Sequence, residues 1–72
     1  MRVNFEVTQN PTHGQLYLET ADQCFRIPTD AVQEFLDSVD PVQASEEAIA
    51  DLADGYTIDM SIEESLVAQY DG

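Results

Sequence analysis

Val3, Phe5 and Val7 alternate with Asn4, Glu6 and Thr8 at the start of the chain, the period-2 pattern of a strand with one buried face. Gln9-Asn10-Pro11-Thr12-His13-Gly14 interrupts that pattern with turn-forming residues. Leu16 and Leu18 then alternate with Tyr17 and Glu19. After a short turn at Ala21-Asp22, Phe25 and Ile27 mark a third strand that ends at Pro28. An antiparallel meander is the simplest arrangement of the three.

The period then changes. Val32, Phe35, Leu36 and Val39 fall at i, i+3, i+4 and i+7, an apolar stripe on a helix of about ten residues with Thr29 as its N-cap. Asp40-Pro41 is a second start signal, with Asp as cap, Pro at the first helical position and Gln43 placed to complete a capping box. Val42, Ser45, Ile49 and Leu52 would then share a face up to Gly55, a helix C-cap. Ser45 is the competing cap of a shorter helix, because Glu46 and Glu47 follow it where the helix dipole favours acids. Tyr56, Ile58 and Met60 alternate as a short fourth strand. Ser61-Ile62-Glu63-Glu64 has the form of a capping box, and Ile62, Leu66 and Tyr70 supply a last helical stripe. The order βββααβα predicts an α+β fold: a small antiparallel sheet, of three N-terminal strands plus one short strand, packed on two or three helices. A rival reading merges residues 57 to 70 into one helix.

Length fits this as one domain, residues 1–72, because a chain this short is marginal even with a single core. The apolar fraction of 43% argues against disorder. No stretch approaches the 18 or so apolar residues of a membrane span, and Met1-Arg2-Val3-Asn4 does not open a signal peptide, so a soluble cytoplasmic protein is expected. The lone Cys24 has no partner for an internal disulfide and suits a reducing compartment.

Charge changes the picture most. Fifteen acids face two bases, Arg2 and Arg26, for a formal net charge of −13, and there is no lysine. Without a basic surface, direct binding to nucleic acid or an anionic membrane is disfavoured, and the expected partner is a basic protein. The imbalance is also segregated: both arginines lie within residues 1–28, whereas residues 29–72 hold 12 acids and no base.

Candidate chemistry is sparse. His13 sits in a turn and reads as an exposed loop residue, and Cys24 reads as a buried or half-buried structural thiol. A Cys24/His13 dyad has no motif behind it. No glycine-rich phosphate loop, C-x-x-C or H-E-x-x-H pair is present, and Asp51-Leu52-Ala53-Asp54-Gly55 lacks the alternating ligands of a calcium loop. The chain is therefore read as a non-enzyme with no metal or other cofactor.

Asp30, Glu34 and Asp37 recur at i, i+4 and i+7 on the first helix, and Glu47, Asp51 and Asp54 repeat that spacing on the second, beside Glu46. Each row sets carboxylates about 6 Å apart at about 1.5 Å rise per residue, of the same order as the roughly 3.4 Å between charges along one nucleic-acid strand. Such pairs repel by roughly 0.7 kcal/mol in water, and nothing in folding asks for them. Solvated helix faces and adaptation to high salt are the competing explanations; the second predicts acids spread over the whole surface. A lysine-free acidic α+β domain with Thr29-Asp30-Ala31-Val32-Gln33-Glu34-Phe35-Leu36-Asp37 and Ser61-Ile62-Glu63-Glu64-Ser65 resembles phage-encoded DNA-mimic inhibitors, especially anti-CRISPR proteins, in size, charge and element order. That resemblance implies carboxylates that occupy the basic channel a Cas protein or complex uses for DNA. The candidate partner-binding residues are Glu34, Asp37, Glu46, Glu47, Asp51, Asp54, Asp59, Glu63 and Glu64, with Tyr56 or Tyr70 as apolar anchors. An antitoxin or immunity module neutralising a basic protein is the alternative.

Overall fold

A computed structural model describes residues 1–72. Strands β1 (Arg2–Gln9), β2 (Leu16–Glu19) and β3 (Cys24–Ile27) form the antiparallel meander, and β4 (Ile58–Glu63) returns antiparallel to the other side of β1, giving the order β3-β2-β1-β4. Helices α1 (Val32–Ser38), α2 (Glu46–Ala53) and α3 (Glu64–Tyr70) complete the predicted βββααβα α+β fold. Both tight turns are built by side chains. Asn10 Oδ1 accepts from the Thr12 amide at 2.8 Å, and Gly14 follows at φ +77°, a left-handed conformation that favours glycine. Thr20 Oγ1 accepts from the Gln23 amide at 3.0 Å.

Alternation decides which face is buried. Phe5, Val7, Leu16, Leu18, Ile27, Met60 and Ile62 project to one side, where α2 packs on β1 and β4 and α3 on β3 and β4. Val32, Phe35, Leu36, Leu52 and Val67 close the core from the helical side, and every one of the fourteen buried residues is apolar. Phe5 meets Phe25 edge-to-face at 5.9 Å, and Phe35 meets Tyr70 in the same way at 5.7 Å.

Several expected boundaries move. Thr29 does not cap a helix: its hydroxyl donates to the His13 carbonyl, and Thr29–Ala31 form one 3-10 turn ahead of α1. Asp40-Pro41 starts no helix either. Asp40 Oδ1 accepts from the Val42 amide at 2.9 Å in a turn, while the Gln43 side chain reaches across to β4. Ser45 is the cap of α2, accepting from the Ala48 amide at 3.2 Å. The inward face of α2 therefore falls on Ala48 and Leu52, with Ala44 buried just ahead of the cap, leaving Val42 and Ile49 exposed. Gly55, at φ +90°, ends α2 as expected, with the Gly55 amide on the Leu52 carbonyl and the Tyr56 amide on the Asp51 carbonyl.

The last capping box is absent. Ser61, Ile62 and Glu63 continue β4, which is six residues long, and α3 starts at Glu64 without a side-chain cap. Pairing with β1 decides the matter, because it buries Ile62 opposite Val3 in the sheet. The merged helix over residues 57–70 is excluded by the same pairing. No helix is long and apolar enough to cross a membrane.

Candidate functional site

The two faces of the molecule differ in charge. Register places Arg2 opposite Glu63 and Arg26 opposite Tyr17, both on the sheet face that no helix covers. Every side-chain cation of the protein is therefore on the open sheet face. The segment from Thr29 to Gly55, which supplies α1, α2 and their connections, holds eight acids and no base. Seven of those eight, Asp30, Glu34, Asp37, Asp40, Glu46, Glu47 and Asp54, are exposed, and Asp51 is half-buried. A segregation seen along the sequence thus becomes a segregation between helical layer and sheet.

Local physics explains how the helical acids are presented. On α2 the inward positions Ala48 and Leu52, half-buried and buried, leave Glu46 and Glu47 outward, with Asp54 exposed at the C-cap, and the two glutamates also stabilise the helix start beside the free amides of its first turn. On α1, Glu34 Oε1 accepts from the Tyr70 hydroxyl at 3.3 Å, which ties it to α3, and Asp37 Oδ1 accepts from the Gln33 amide nitrogen at 3.1 Å. Glu64 opens α3 half-buried. Tyr56 is 63% exposed and Val42 80%, whereas Tyr70 is packed against Phe35 and is no free anchor.

Asp59 and Glu63 lie elsewhere. Both belong to the polar side of β4 and project from the open sheet face, opposite the helices, and Glu63 pairs with the N-terminal ammonium. Of the nine candidate residues, seven share the helical layer and two do not.

The structure also assembles a group that sequence reasoning left aside. Glu6 stands opposite Glu19 on one side and Asp59 on the other, so three carboxylates form a row across β2, β1 and β4. They line a shallow depression of ≈ 550 Å³ together with Asn4, Thr20 and Ala21. Because the Ser61 amide turns away from β1 to donate to Gln43, Glu6 and Asp59 are a non-hydrogen-bonded pair, the closer of the two kinds in an antiparallel ladder. Alternation does assign Glu6, Glu19 and Asp59 to polar strand faces. Their alignment depends on register and on the β4–β1 pairing, which are long-range.

His13 and Cys24 are not brought together. His13 lies in the β1–β2 turn, and Cys24 pairs with Glu19 at the other end of β2. Cys24 is exposed on the open face, not buried, because Phe25 and Ile27 take the inward positions of β3. No cluster of three or more His, Cys, Asp or Glu side chains has the geometry to hold a metal ion.

Fold and surface together define a small acidic α+β domain with acids on both faces and its two arginines confined to the open sheet face. No protein-family model matches the chain, and no curated protein or solved structure matches it.

Proposed function

We propose that this protein is a phage-type inhibitor that imitates nucleic-acid charge and blocks a Lys/Arg-lined DNA-binding site of a Cas effector. The observation that carries the reading is the base-free helical layer, with exposed acids on α1 and α2 while both arginines are kept on the opposite face. Adaptation to salt or solubility asks for no such separation. The docking surface comprises Glu34, Asp37, Glu46, Glu47, Asp51, Asp54 and Glu64. Carboxylates at a rim raise association rate more than affinity. Val42 and Ile49, exposed in the same segment, and Tyr56 just past it supply the apolar contacts that anchor it.

The test is competition. The protein is mixed with a panel of purified guide-loaded Cas effectors, and binding of target duplex DNA is followed with and without it. The reading expects at least one effector to bind the protein and duplex DNA mutually exclusively. Binding that leaves DNA access untouched, or capture of a small basic toxin instead of any effector, would replace it with the immunity-type alternative.

A further inference from the structure

Both edges of the sheet are closed by the chain's own groups, and each closure is made at a single residue. On β4 the Ser61 amide donates to Gln43 Oε1 at 3.0 Å, and the Ser61 carbonyl accepts from Arg2 Nη2 at 2.8 Å. On β3 the Arg26 amide donates to Asp71 Oδ1 at 2.8 Å, and the Arg26 carbonyl accepts from the Gly72 amide at 3.0 Å. In each case one residue's outward N–H and C=O, the pair an added strand would use, are both occupied. The β4 closure comes from the side chains of Arg2 on β1 and Gln43 in the α1–α2 connection. The β3 closure comes from two residues just past α3, where the Asp71 amide donates to the Val67 carbonyl at 3.0 Å and Gly72 lies so close to Pro28 that an added Cβ would stand 3.0 Å from the ring.

We propose that Asp71-Gly72 is a strap holding shut a self-pairing edge, and that its release lets β3 pair antiparallel with β3 of a second copy. Register supports a second copy as the occupant. A twofold axis through Phe25 sets Cys24 opposite Arg26 of the second copy and the reverse, which are the two outward-facing positions of the strand and so form a hydrogen-bonded ladder. Phe25, half-buried beside the edge, would gain its own symmetry mate as cover. Arg26 would stand opposite Cys24 of the second copy, so the outward face of the new seam sets no acid against an acid. The meander is also the least acidic part of the chain, so this edge offers the approach with least repulsion between two molecules of net charge −13.

The test uses the full-length double variant Asp71→Ala/Gly72→Pro, which removes the side-chain acceptor and the amide donor and sets a ring against Pro28. Wild type and variant are compared under reducing conditions by light scattering coupled to size exclusion, in 1 M salt, where the Debye length is about 3 Å. The Arg26 amide is followed by hydrogen exchange. The inference expects loss of Arg26 protection at low protein concentration and a mass twice the 8.0 kDa of the single chain at high concentration, while wild type stays at the single-chain mass with its Arg26 amide protected. Asp71→Ala alone, which perturbs folding least, is expected to give a smaller dimer fraction. A variant that stays monomeric with the Arg26 amide exposed, or one whose Arg26 amide remains protected, would overturn it.

Discussion

Replacing Glu6 tests whether the carboxylate row on the open sheet face is a real electrostatic liability. Glu6 has two like-charged neighbours directly across the ladder, Glu19 and Asp59. At about 5 Å in water each pair repels by roughly 0.8 kcal/mol, and physiological salt with a Debye length of about 8 Å reduces that to about 0.4, within the range for cross-strand charge pairs. Glu6→Gln removes two repulsions, a gain of about 0.8 kcal/mol. Glu6→Lys turns both into attractions, a gain of about 1.6 kcal/mol. For a domain of this size such gains raise Tm by about 3–6 °C and about 6–13 °C respectively. Thermal unfolding followed by circular dichroism at 0.15 M and 1 M salt measures both. In 1 M salt the gains fall to about a third, because a Debye length of about 3 Å screens the pairs further. A lysine variant no more stable than the glutamine variant, or gains that ignore salt, would refute the reasoning.

Three further outcomes follow from single contacts. Ser45→Ala removes the cap bond to the Ala48 amide and is expected to lower stability by about 1 kcal/mol in urea titrations, with an unchanged m-value. Gly55→Ala meets no atom within 4 Å, yet it holds φ +90°, so a loss of about 1 kcal/mol is expected from backbone conformation alone; no loss would place the left-handed cap in doubt. Phe35→Ala empties a fully buried site beside Tyr70 and is expected to cost about 3–5 kcal/mol, a large share of the stability of so small a domain, so that unfolding near body temperature should be visible in one-dimensional NMR spectra.

Much of this fold is legible in the sequence because its strands alternate cleanly. Val3-Phe5-Val7, Leu16-Leu18 and Phe25-Ile27 each state both strand and buried face, and β3-β2-β1 follows from short turns. Helix starts read less well. Thr29, Asp40 and Ser61 each offer a plausible cap, but the Thr29 hydroxyl is used by the β1–β2 turn, Asp40 builds a turn of its own, and Ser61 is drawn into pairing with Asn4. At Thr29 and Ser61 a tertiary partner outweighs a local signal worth about 1 kcal/mol; at Asp40 a competing local turn does. The acidic helical layer was legible because charge runs are local. The Glu19–Glu6–Asp59 row was not, since it depends on which strand meets which and in what register, whereas the outward position of Cys24 follows from its alternation with Phe25 and Ile27.

The central claim, that the helical carboxylates are steered onto a cationic nucleic-acid site, is tested most directly by association rates measured across a salt series against a Cas effector bound in the competition assay. Glu47→Lys/Asp54→Lys on α2 is expected to slow association about tenfold or more and to flatten its salt dependence, while Glu6→Lys/Glu19→Lys on the open sheet face leaves both nearly as in wild type. Equal slowing by the two pairs, or slowing by the sheet pair alone, would contradict the account.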